Sequence, residues 1–232
     1  MRKIAVFVEG QTELIFTREL ILKCYEWQNV QLECYSLFND ADLNTEDYPF
    51  SNPNASIYYQ LLNIGNDKKV LSSILKREKY LFSNNQAFDK IIGLRDMYSK
   101  EYRELTTNHT ISPELNQRFI DSHKTTIEAR AAQPNKIAFQ FSIMELEAWF
   151  LGMDELIFRV EDTLTNEALI HKLEMDLVAI DPENTIFNPA KRLNAILELA
   201  GSGYNKKKDE VNTWMGHIAK EDFCVLYRHY HD

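Results

Sequence analysis

Several features typical of common protein classes are missing from this chain of 232 residues. Its only cysteines, Cys24, Cys34 and Cys224, form no Cys-x-x-Cys pair. Their number and spacing argue against a disulfide framework and a zinc ribbon, and they suit a reducing cytosol. No apolar run approaches the ~18 residues of a membrane span, and the run at residues 4–8 is too short for a signal-peptide core. We therefore expect a soluble, cytoplasmic protein with no membrane partner.

The chain also lacks the excess of positive charge that nucleic-acid-coating proteins carry. Lys and Arg total 26 against 35 Asp and Glu, which gives a formal net charge of −9 with His neutral. Any polyanion must then be bound by a local basic patch or through a metal ion. Glycine is rare as well, with only 7 residues, so a glycine next to a candidate functional residue is informative. Hydrophobic and charged contents of 44% and 26% are ordinary and exclude wholesale disorder.

Short apolar segments alternate with helical patterns over the first two thirds of the chain. Patterns typical of strands lie at residues 3–8, 31–38, 57–64, 90–94 and 137–143. Helical patterns lie at residues 14–22, 70–75 and 113–132. This alternation predicts crossover connections and therefore an α/β fold, with a mostly parallel sheet flanked by helices.

Two stretches depart from this alternation. The segment at residues 39–56 is rich in Asp, Asn and Pro and predicts an exposed loop. After about residue 150 the strand patterns fade, and short helices are expected at residues 164–173, 190–200 and 209–220. We accordingly divide the chain into an α/β domain, residues 1–160, and a helical C-terminal extension packed on it, residues 161–232.

Carboxylates follow three of the predicted strands. Glu9, Asp96 and Glu145 each stand just after a strand pattern. Open parallel sheets bind their ligands outside the carboxyl ends of the strands, so these side chains converge if the strands are neighbours. Unpaired carboxylates in one place repel one another, whereas Mg²⁺ or Mn²⁺ binds such oxygens favourably. The sequence therefore predicts a divalent-metal site at this edge of the sheet.

Gly10 and Glu13 extend this candidate site. Gly10 permits a sharp turn from strand to helix, or the close approach of a ligand to the backbone. Glu13 falls in the first helical turn, within reach of the same cleft. The alternative interpretation is structural: Thr12 caps the helix, and Glu13 complements the positive N-terminal end of its dipole. Position along the sequence leaves both interpretations open.

The motifs at these positions resemble those of Toprim domains. Residues 8–13, Val-Glu-Gly-Gln-Thr-Glu, are similar to the opening motif of the branch related to overcoming-lysogenisation-defect (OLD) nucleases and their bacterial relatives. Residues 92–98, Ile-Gly-Leu-Arg-Asp-Met-Tyr, resemble the second acidic motif of the family. Residues 141–150 and the Tyr-x-Lys at residues 204–206 resemble segments of one small subfamily. The matching segments extend from residue 4 to about residue 206.

The resemblance implies a Toprim-like (Rossmann-like) fold and a nuclease that cleaves phosphodiester bonds in DNA or RNA with Mg²⁺ or Mn²⁺. It assigns Glu9 as general acid/base or metal ligand, and Glu13 and Asp96 as metal ligands. Tyr98 departs from the family pattern, because it stands where the Asp-x-Asp motif has its second aspartate. Either Glu145 or Glu147 would then replace that ligand. The resemblance also suggests a role in anti-phage defence beside a separate ATPase partner.

Two other functions remain open. Tyr98 in place of an acid favours a catalytically degenerate Toprim-like sensor or partner subunit of an ATPase. A phosphotransferase or phosphatase that acts on small phosphate esters is the third candidate.

Basic residues supply the candidate contacts to phosphate. We expect Lys206 to stabilise the negative charge that develops during phosphodiester cleavage. The alternative interpretation of Lys206 is that residues 206–208 form a solvated turn. The residues expected along a nucleic-acid backbone are Lys68, Lys69, Lys76, Arg77 and Lys207. For Lys68, Lys69, Lys76 and Arg77, the alternative interpretation is that they form a solvated face of a helix.

Overall fold

A computed structural model describes residues 1–38, 41–45, 47–106 and 109–223. The strands are β1 (Arg2–Val8), β2 (Val30–Phe38), β3 (Ala41–Asn44), β4 (Ile57–Asn63), β5 (Lys90–Asp96) and β6 (Ile137–Ser142). The first helices are α1 (Gln11–Cys24), α2 (Val70–Leu81), α3 (Lys100–Leu105), α4 (Pro113–Arg130) and α5 (Glu147–Gly152). They are followed by α6 (Asp154–Val160), α7 (Asn166–Leu173), α8 (Pro182–Thr185), α9 (Pro189–Glu198) and α10 (Lys208–His217).

The strands form one six-stranded sheet in the order β3-β2-β4-β1-β5-β6. Strand β1 pairs in parallel with β4 and β5, β2 pairs in parallel with β4, and β3 pairs antiparallel with β2. The central position of β1 agrees with its continuous apolar sequence, because a strand covered on both faces has no polar positions to alternate. The α/β class and the mostly parallel sheet are thus confirmed.

The chain divides into two compact units. Unit 1 comprises Met1–Arg95 and Glu114–Phe141, and unit 2 comprises Asp96–Pro113 and Ser142–Asp232. Residues 142–160 therefore group with the helical residues that follow them, whereas the sequence prediction placed them in the α/β portion. The reason is that α5 and α6 pack on each other and on α8, α9 and α10.

The core of unit 1 lies where α2 covers one face of the sheet. Ala5 and Phe7 of β1, Leu62 of β4 and Ile91 of β5 pack in one cluster with the apolar side of α2. At Gly93 of β5 the fit leaves no room for a side chain: a Cβ would lie 2.6 Å from Cδ2 of Phe139 and 2.8 Å from Cδ1 of Ile74. Glycine is therefore required for this close approach.

The core of unit 2 is built from short helices around α5. Phe150 of α5 stacks on Trp214 of α10 with ring centroids 5.9 Å apart, and the ring of Tyr204 packs edge-on against the same indole at 5.6 Å. Leu151 and Leu193 are fully buried in the same unit. None of the helices in the described ranges combines the length and apolar character needed to cross a membrane.

The prediction of an exposed loop over residues 39–56 is wrong in part. Residues 41–44 form the edge strand β3, Tyr48 is buried, and Phe50 bridges to Leu32 of β2. The sequence Ala-Asp-Leu-Asn of β3 carries no apolar run, because one short antiparallel partner at a sheet edge buries little surface. Residues 39, 40 and 46 of the predicted loop lie outside the described residues.

Candidate functional site

Asp96 is fixed in unit 2 by the chain that leaves β6. Its Oδ1 accepts hydrogen bonds from Oγ of Ser142 at 2.5 Å and from the backbone N of Leu146 at 3.0 Å. The two backbone segments also bond to each other, since Tyr98 N donates to Met144 O at 2.7 Å. The carboxylate is only 8% exposed. Asp96, the last residue of β5, is therefore held in one orientation by the residues that follow β6.

The turn after β6 contains an uncommon backbone conformation. Met144 has a φ of +68° although it is not glycine, and its side chain is fully buried. A left-handed non-glycine residue costs on the order of 1 kcal/mol or more, and such residues concentrate at functional sites. The turn directs the chain into α5, so that Glu147 is the first residue of that helix and Glu145 stands two positions before it.

Lys206 joins these two glutamates. Its Nζ lies 3.3 Å from Oε1 of Glu145 and 3.0 Å from Oε2 of Glu147. Oε1 of Glu147 accepts a hydrogen bond from the hydroxyl of Tyr204 at 2.8 Å, and Oε2 of Glu145 accepts one from the backbone N of Ala190 at 3.3 Å. Glu147 is wholly buried, while the Lys206 side chain is 43% exposed. We call Asp96, Glu145, Glu147, Tyr204 and Lys206 the acidic cluster.

The acidic cluster holds Lys206 in its charged form. Burial of the ammonium lowers the pKa of Lys206, but the negative charges of Glu147, Glu145 and Asp96 outweigh this effect. The pKa of Lys206 is therefore raised above its ordinary value of 10.5. A lysine in this setting stays positive at neutral pH and is positioned by its carboxylate neighbours.

Glu183 supports the same turn from α8. Its Oε1 accepts hydrogen bonds from the backbone N of Ile143 at 2.6 Å and from Nε1 of Trp149 at 2.7 Å. Asp181 caps α8 by accepting from the backbone N of Glu183 at 3.0 Å. The sequence analysis did not identify Glu183. The one signal for it is the Asp-Pro-Glu at residues 181–183, which is typical of the start of a helix.

The remaining predicted carboxylates, Glu9 and Glu13, belong to unit 1. Glu9 directly follows β1 and is partly exposed, whereas Glu13 is 6% exposed in the first turn of α1. A Cβ on Gly10 would lie 2.9 Å from Oε2 of Glu13, so the carboxylate is folded over this glycine. Gly10 is itself the N-cap of α1 and provides no side-chain cap. Thr12 therefore does not cap the helix, whereas Glu13 lies in the first turn of α1, as the same structural alternative expects.

The predicted basic residues are divided between the two units. Lys68 and Lys69 lie in a 3-10 turn before α2, and Lys76 is exposed on that helix. Arg77 is only 17% exposed and pairs with Asp42 at 3.6 Å. These four residues belong to unit 1, whereas Lys207 is exposed beside Lys206 in unit 2.

Unit 1 also contains a cavity of about 680 Å³ on a face of its sheet. Within it, Oε2 of Glu33 accepts hydrogen bonds from the hydroxyls of Tyr35 at 2.6 Å and Tyr58 at 2.7 Å. The bond to Glu33 raises the pKa of Tyr35 to about 12, and burial followed by the same carboxylate raises that of Tyr58. Arg77 also lines this cavity, but none of the predicted site carboxylates does.

The acidic cluster contains the type of oxygen atom that binds a divalent cation, but its side chains are not arranged around a cation site. Carboxylate oxygens are the ligands that Mg²⁺ and Mn²⁺ prefer. Lys206, however, lies between Glu145 and Glu147 and supplies the positive charge there. Over the described ranges, no three His, Cys, Asp or Glu side chains are placed to hold a metal ion. The requirement for Mg²⁺ or Mn²⁺ stays a prediction.

Comparison of the chain with protein-family models, with curated proteins and with solved structures found no match. The resemblance to Toprim domains therefore depends on the sequence motifs alone. Of the predicted site residues, the structure brings Asp96, Glu145, Glu147 and Lys206 together within unit 2.

Proposed function

We propose that the chain is a cytoplasmic Toprim-like nuclease that cleaves phosphodiester bonds in DNA or RNA with Mg²⁺ or Mn²⁺. One observation supports this above the others: carboxylates at the ends of β5 and β6 converge with Lys206, although the residues are spread from position 96 to position 206. The carboxyl ends of strands are where open α/β sheets bind their ligands.

The energetic cost of the acidic cluster favours a functional role. Burying an ionised group costs several kcal/mol even in a relaxed protein, and apolar residues of similar volume often give equal or greater stability. Glu147 is wholly buried and ion-paired, and the neighbouring Met144 adopts a left-handed backbone. Ionisable groups whose pKa values are shifted by specific charged partners are concentrated at active sites. A reaction centre accounts for this costly arrangement.

The residues of the acidic cluster have distinct roles in this proposal. Lys206 provides a fixed positive charge for the non-bridging oxygens of a phosphodiester, where negative charge develops during cleavage. Glu145 and Glu147 keep that ammonium charged and oriented. Asp96, which Ser142 and the Leu146 amide hold in place, is the acidic group nearest the end of β5. Glu9 and Glu13 stay predicted participants on the basis of the motif.

The proposal is tested by nicking of supercoiled plasmid and cleavage of single-stranded DNA and RNA with Mg²⁺, Mn²⁺ or EDTA. Asp96→Asn and Lys206→Met should each lower cleavage by about 10²-fold or more, since removal of one preorganised charge-stabilising group costs about that much. Glu9→Gln should lower it as well. Lys172→Met is the matched control, because this lysine is exposed on α7 of the same unit and has no predicted role, and it should cleave like wild type. Equal cleavage by wild type, Asp96→Asn and Glu9→Gln would indicate a contaminating nuclease and contradict the proposal.

A specific observation also favours the degenerate sensor or ATPase-partner function. Lys206 already neutralises both Glu145 and Glu147, as a permanent structural counter-charge would. Titration calorimetry with Mn²⁺ separates the two functions. The nuclease should bind Mn²⁺ saturably, with weaker binding in Asp96→Asn, whereas the degenerate module should show no binding in either protein.

A further inference from the structure

A pocket of about 450 Å³ opens in unit 2 between the segment at His109 and the connection from α8 to α9. Phe187 forms part of its wall, and His109 packs edge-on against that ring with centroids 5.2 Å apart. Lys191 and Arg192 line the same opening. An aromatic wall beside two cations suits a ligand that combines a flat ring with negative charge.

The pocket adjoins the acidic cluster through two direct connections. Ala190, whose backbone N donates to Oε2 of Glu145, lies in the chain between Phe187 and Lys191. Tyr98, two residues after Asp96, packs edge-on against Phe187 with centroids 5.4 Å apart. A chain of nucleotides that occupies the pocket can therefore continue toward the cluster.

Tyr98 acquires a role in this arrangement. The sequence singled it out only because an aspartate is expected at its position. In the structure its ring contacts Phe187 on one side, and the guanidinium of Arg103 lies 5.1 Å from its centroid. Tyr98 thus packs against the aromatic wall of the pocket instead of supplying a carboxylate.

The charge of this region contrasts with that of the whole chain. The protein carries a net charge of −9, yet α9 has no acidic residue in its first turn and begins with Pro-Ala-Lys-Arg at residues 189–192. Cationic side chains beside aromatic ones contact phosphates while the rings receive unstacked bases. Bases in a duplex are already stacked and cannot enter such a pocket.

We propose that this pocket binds one nucleotide of a single-stranded nucleic acid, with its base against Phe187 and His109 and its phosphates on Lys191 and Arg192. This rests on the proposed function and deepens it, because it makes single strands the substrate class of the nuclease. DNA and RNA share this recognition chemistry, so both are included as separate arms of the test.

Binding is measured by fluorescence anisotropy in EDTA, where cleavage is suppressed, with ~20-nucleotide oligo-dT, oligo-rU, a duplex of the same length and free mononucleotide. We expect either single strand to bind at least about tenfold more tightly than duplex or mononucleotide. Lys191→Ala with Arg192→Ala should weaken binding at least about tenfold and reduce the salt slope by about 1.4, since each phosphate contact to a single strand contributes about 0.7. His109→Ala should weaken binding with little change in that slope.

The matched control is Lys124→Ala with Arg130→Ala, which removes the same two charges from exposed positions of α4 in unit 1 and should leave binding unchanged. Phe187 is nearly buried, so Phe187→Leu is used beside Phe187→Ala to retain packing, and both should weaken single-strand binding.

Equal binding of duplex and single strand, or unchanged binding after the Lys191 and Arg192 substitutions, would overturn the inference. If the protein cleaves nucleic acid and these variants do not change its activity, the proposed pocket is wrong but the proposed nuclease function is not. If the protein binds single strands but does not cleave them in Mg²⁺ or Mn²⁺, the nuclease function is wrong and the pocket is supported.

Discussion

The ammonium of Lys206 lies 3.0 Å from Oε2 of Glu147, a carboxylate that has no solvent exposure. The contact joins α5 to the segment before α10, although 59 positions (206 − 147) separate the two residues. Within the described part of the chain, the other polar partner of this carboxylate is the Tyr204 hydroxyl, which donates to its other oxygen. The charge of Glu147 is therefore balanced chiefly by Lys206.

Loss of Lys206 should destabilise the protein, because it leaves the buried charge of Glu147 without its cation. Breaking a fully buried pair costs about 3–5 kcal/mol, and solvent screening of the partly exposed lysine reduces this to about 1–3 kcal/mol. We expect Lys206→Met to lower the free energy of unfolding in urea by that amount. Lys206→Met with Glu147→Leu should recover most of the loss. If the double variant is no more stable than Lys206→Met, the two side chains are not energetically coupled.

The stabilisation from Lys206 should depend on pH only in alkaline solution. Because the folded state raises the pKa of this lysine above 10.5, the contribution is fully present below that value and is lost as the pH rises through the higher folded pKa. The difference in unfolding free energy between wild type and Lys206→Met should therefore stay constant from neutral pH to about pH 10. Denaturant titrations over this range measure it, and a difference that vanishes near neutral pH would contradict the raised pKa.

Glu183 should be a major determinant of the turn that carries the acidic cluster. Glu183→Ala removes the acceptor of the Ile143 amide and the Trp149 indole, and each buried donor left without a partner costs about 1–3 kcal/mol. We expect a loss of about 2–4 kcal/mol in unfolding free energy and a shift in tryptophan emission. Glu183→Gln retains a carbonyl oxygen at this position and should lose less than half as much. Equal losses in both variants would show that the carbonyl acceptor is not the stabilising feature.

The fold was predictable where burial leaves a periodic signal. The continuous apolar sequence of β1 and the alternation of strands with helical patterns specify a parallel sheet without any knowledge of long-range contacts. Strand β3 could not be found in this way, because Asp42, Leu43 and Asn44 are exposed at an edge of the sheet and leave no apolar pattern. The four-residue helix α8 is likewise too short to show a period, although it carries Glu183.

The acidic cluster was predictable in composition but not in its pairing. Asp96 and Glu145 follow predicted strands, and the resemblance to Toprim domains suggested Glu147 and Lys206. Nothing in the spacing indicates that Lys206 pairs with both glutamates, since that contact depends on how the short helices of unit 2 pack. Lys206 and Lys207 are both exposed, as the solvated turn considered for residues 206–208 expects, but the ammonium of Lys206 also pairs with Glu145 and Glu147. The pocket at Phe187 could not be predicted from the sequence either, because it too depends on how these short helices pack.

Alanine substitutions at Gly93 and Gly216 should change the stability of the protein in opposite directions. Gly93→Ala places a Cβ 2.6 Å from Phe139 and should destabilise unit 1 by about 1–3 kcal/mol, as overpacking of a core does. Gly216 lies in α10 with nothing within 4 Å of the position of a Cβ. Gly216→Ala should therefore stabilise the protein by about 0.4–1 kcal/mol through reduced entropy of the unfolded chain. Chemical denaturation of the two variants measures both effects, and a neutral Gly93→Ala would mean that Phe139 relaxes freely.

Cys24 and Cys34 should differ strongly in reactivity toward alkylating reagents. Cys24 is exposed at the end of α1, whereas Cys34 is fully buried in β2. Burial raises the pKa of the Cys34 thiol from 9.0 to about 12, and Glu33 adds to this while Arg18 opposes it. At pH 8 only about one Cys34 in 10⁴ is then the reactive thiolate, and the fraction grows tenfold for each further pH unit.

Treatment with iodoacetamide in mildly alkaline buffer, followed by peptide mass spectrometry, measures each site separately. We expect rapid modification of Cys24 and at least about a hundredfold slower modification of Cys34 in the folded protein. Concentrated guanidinium chloride serves as the control, because unfolding should bring the two rates close together. Cys224 lies outside the described residues, and peptide-level detection keeps it from contributing to either rate. Comparable native rates at Cys24 and Cys34 would show that β2 opens to solvent on the timescale of the reaction, which its position between β3 and β4 argues against.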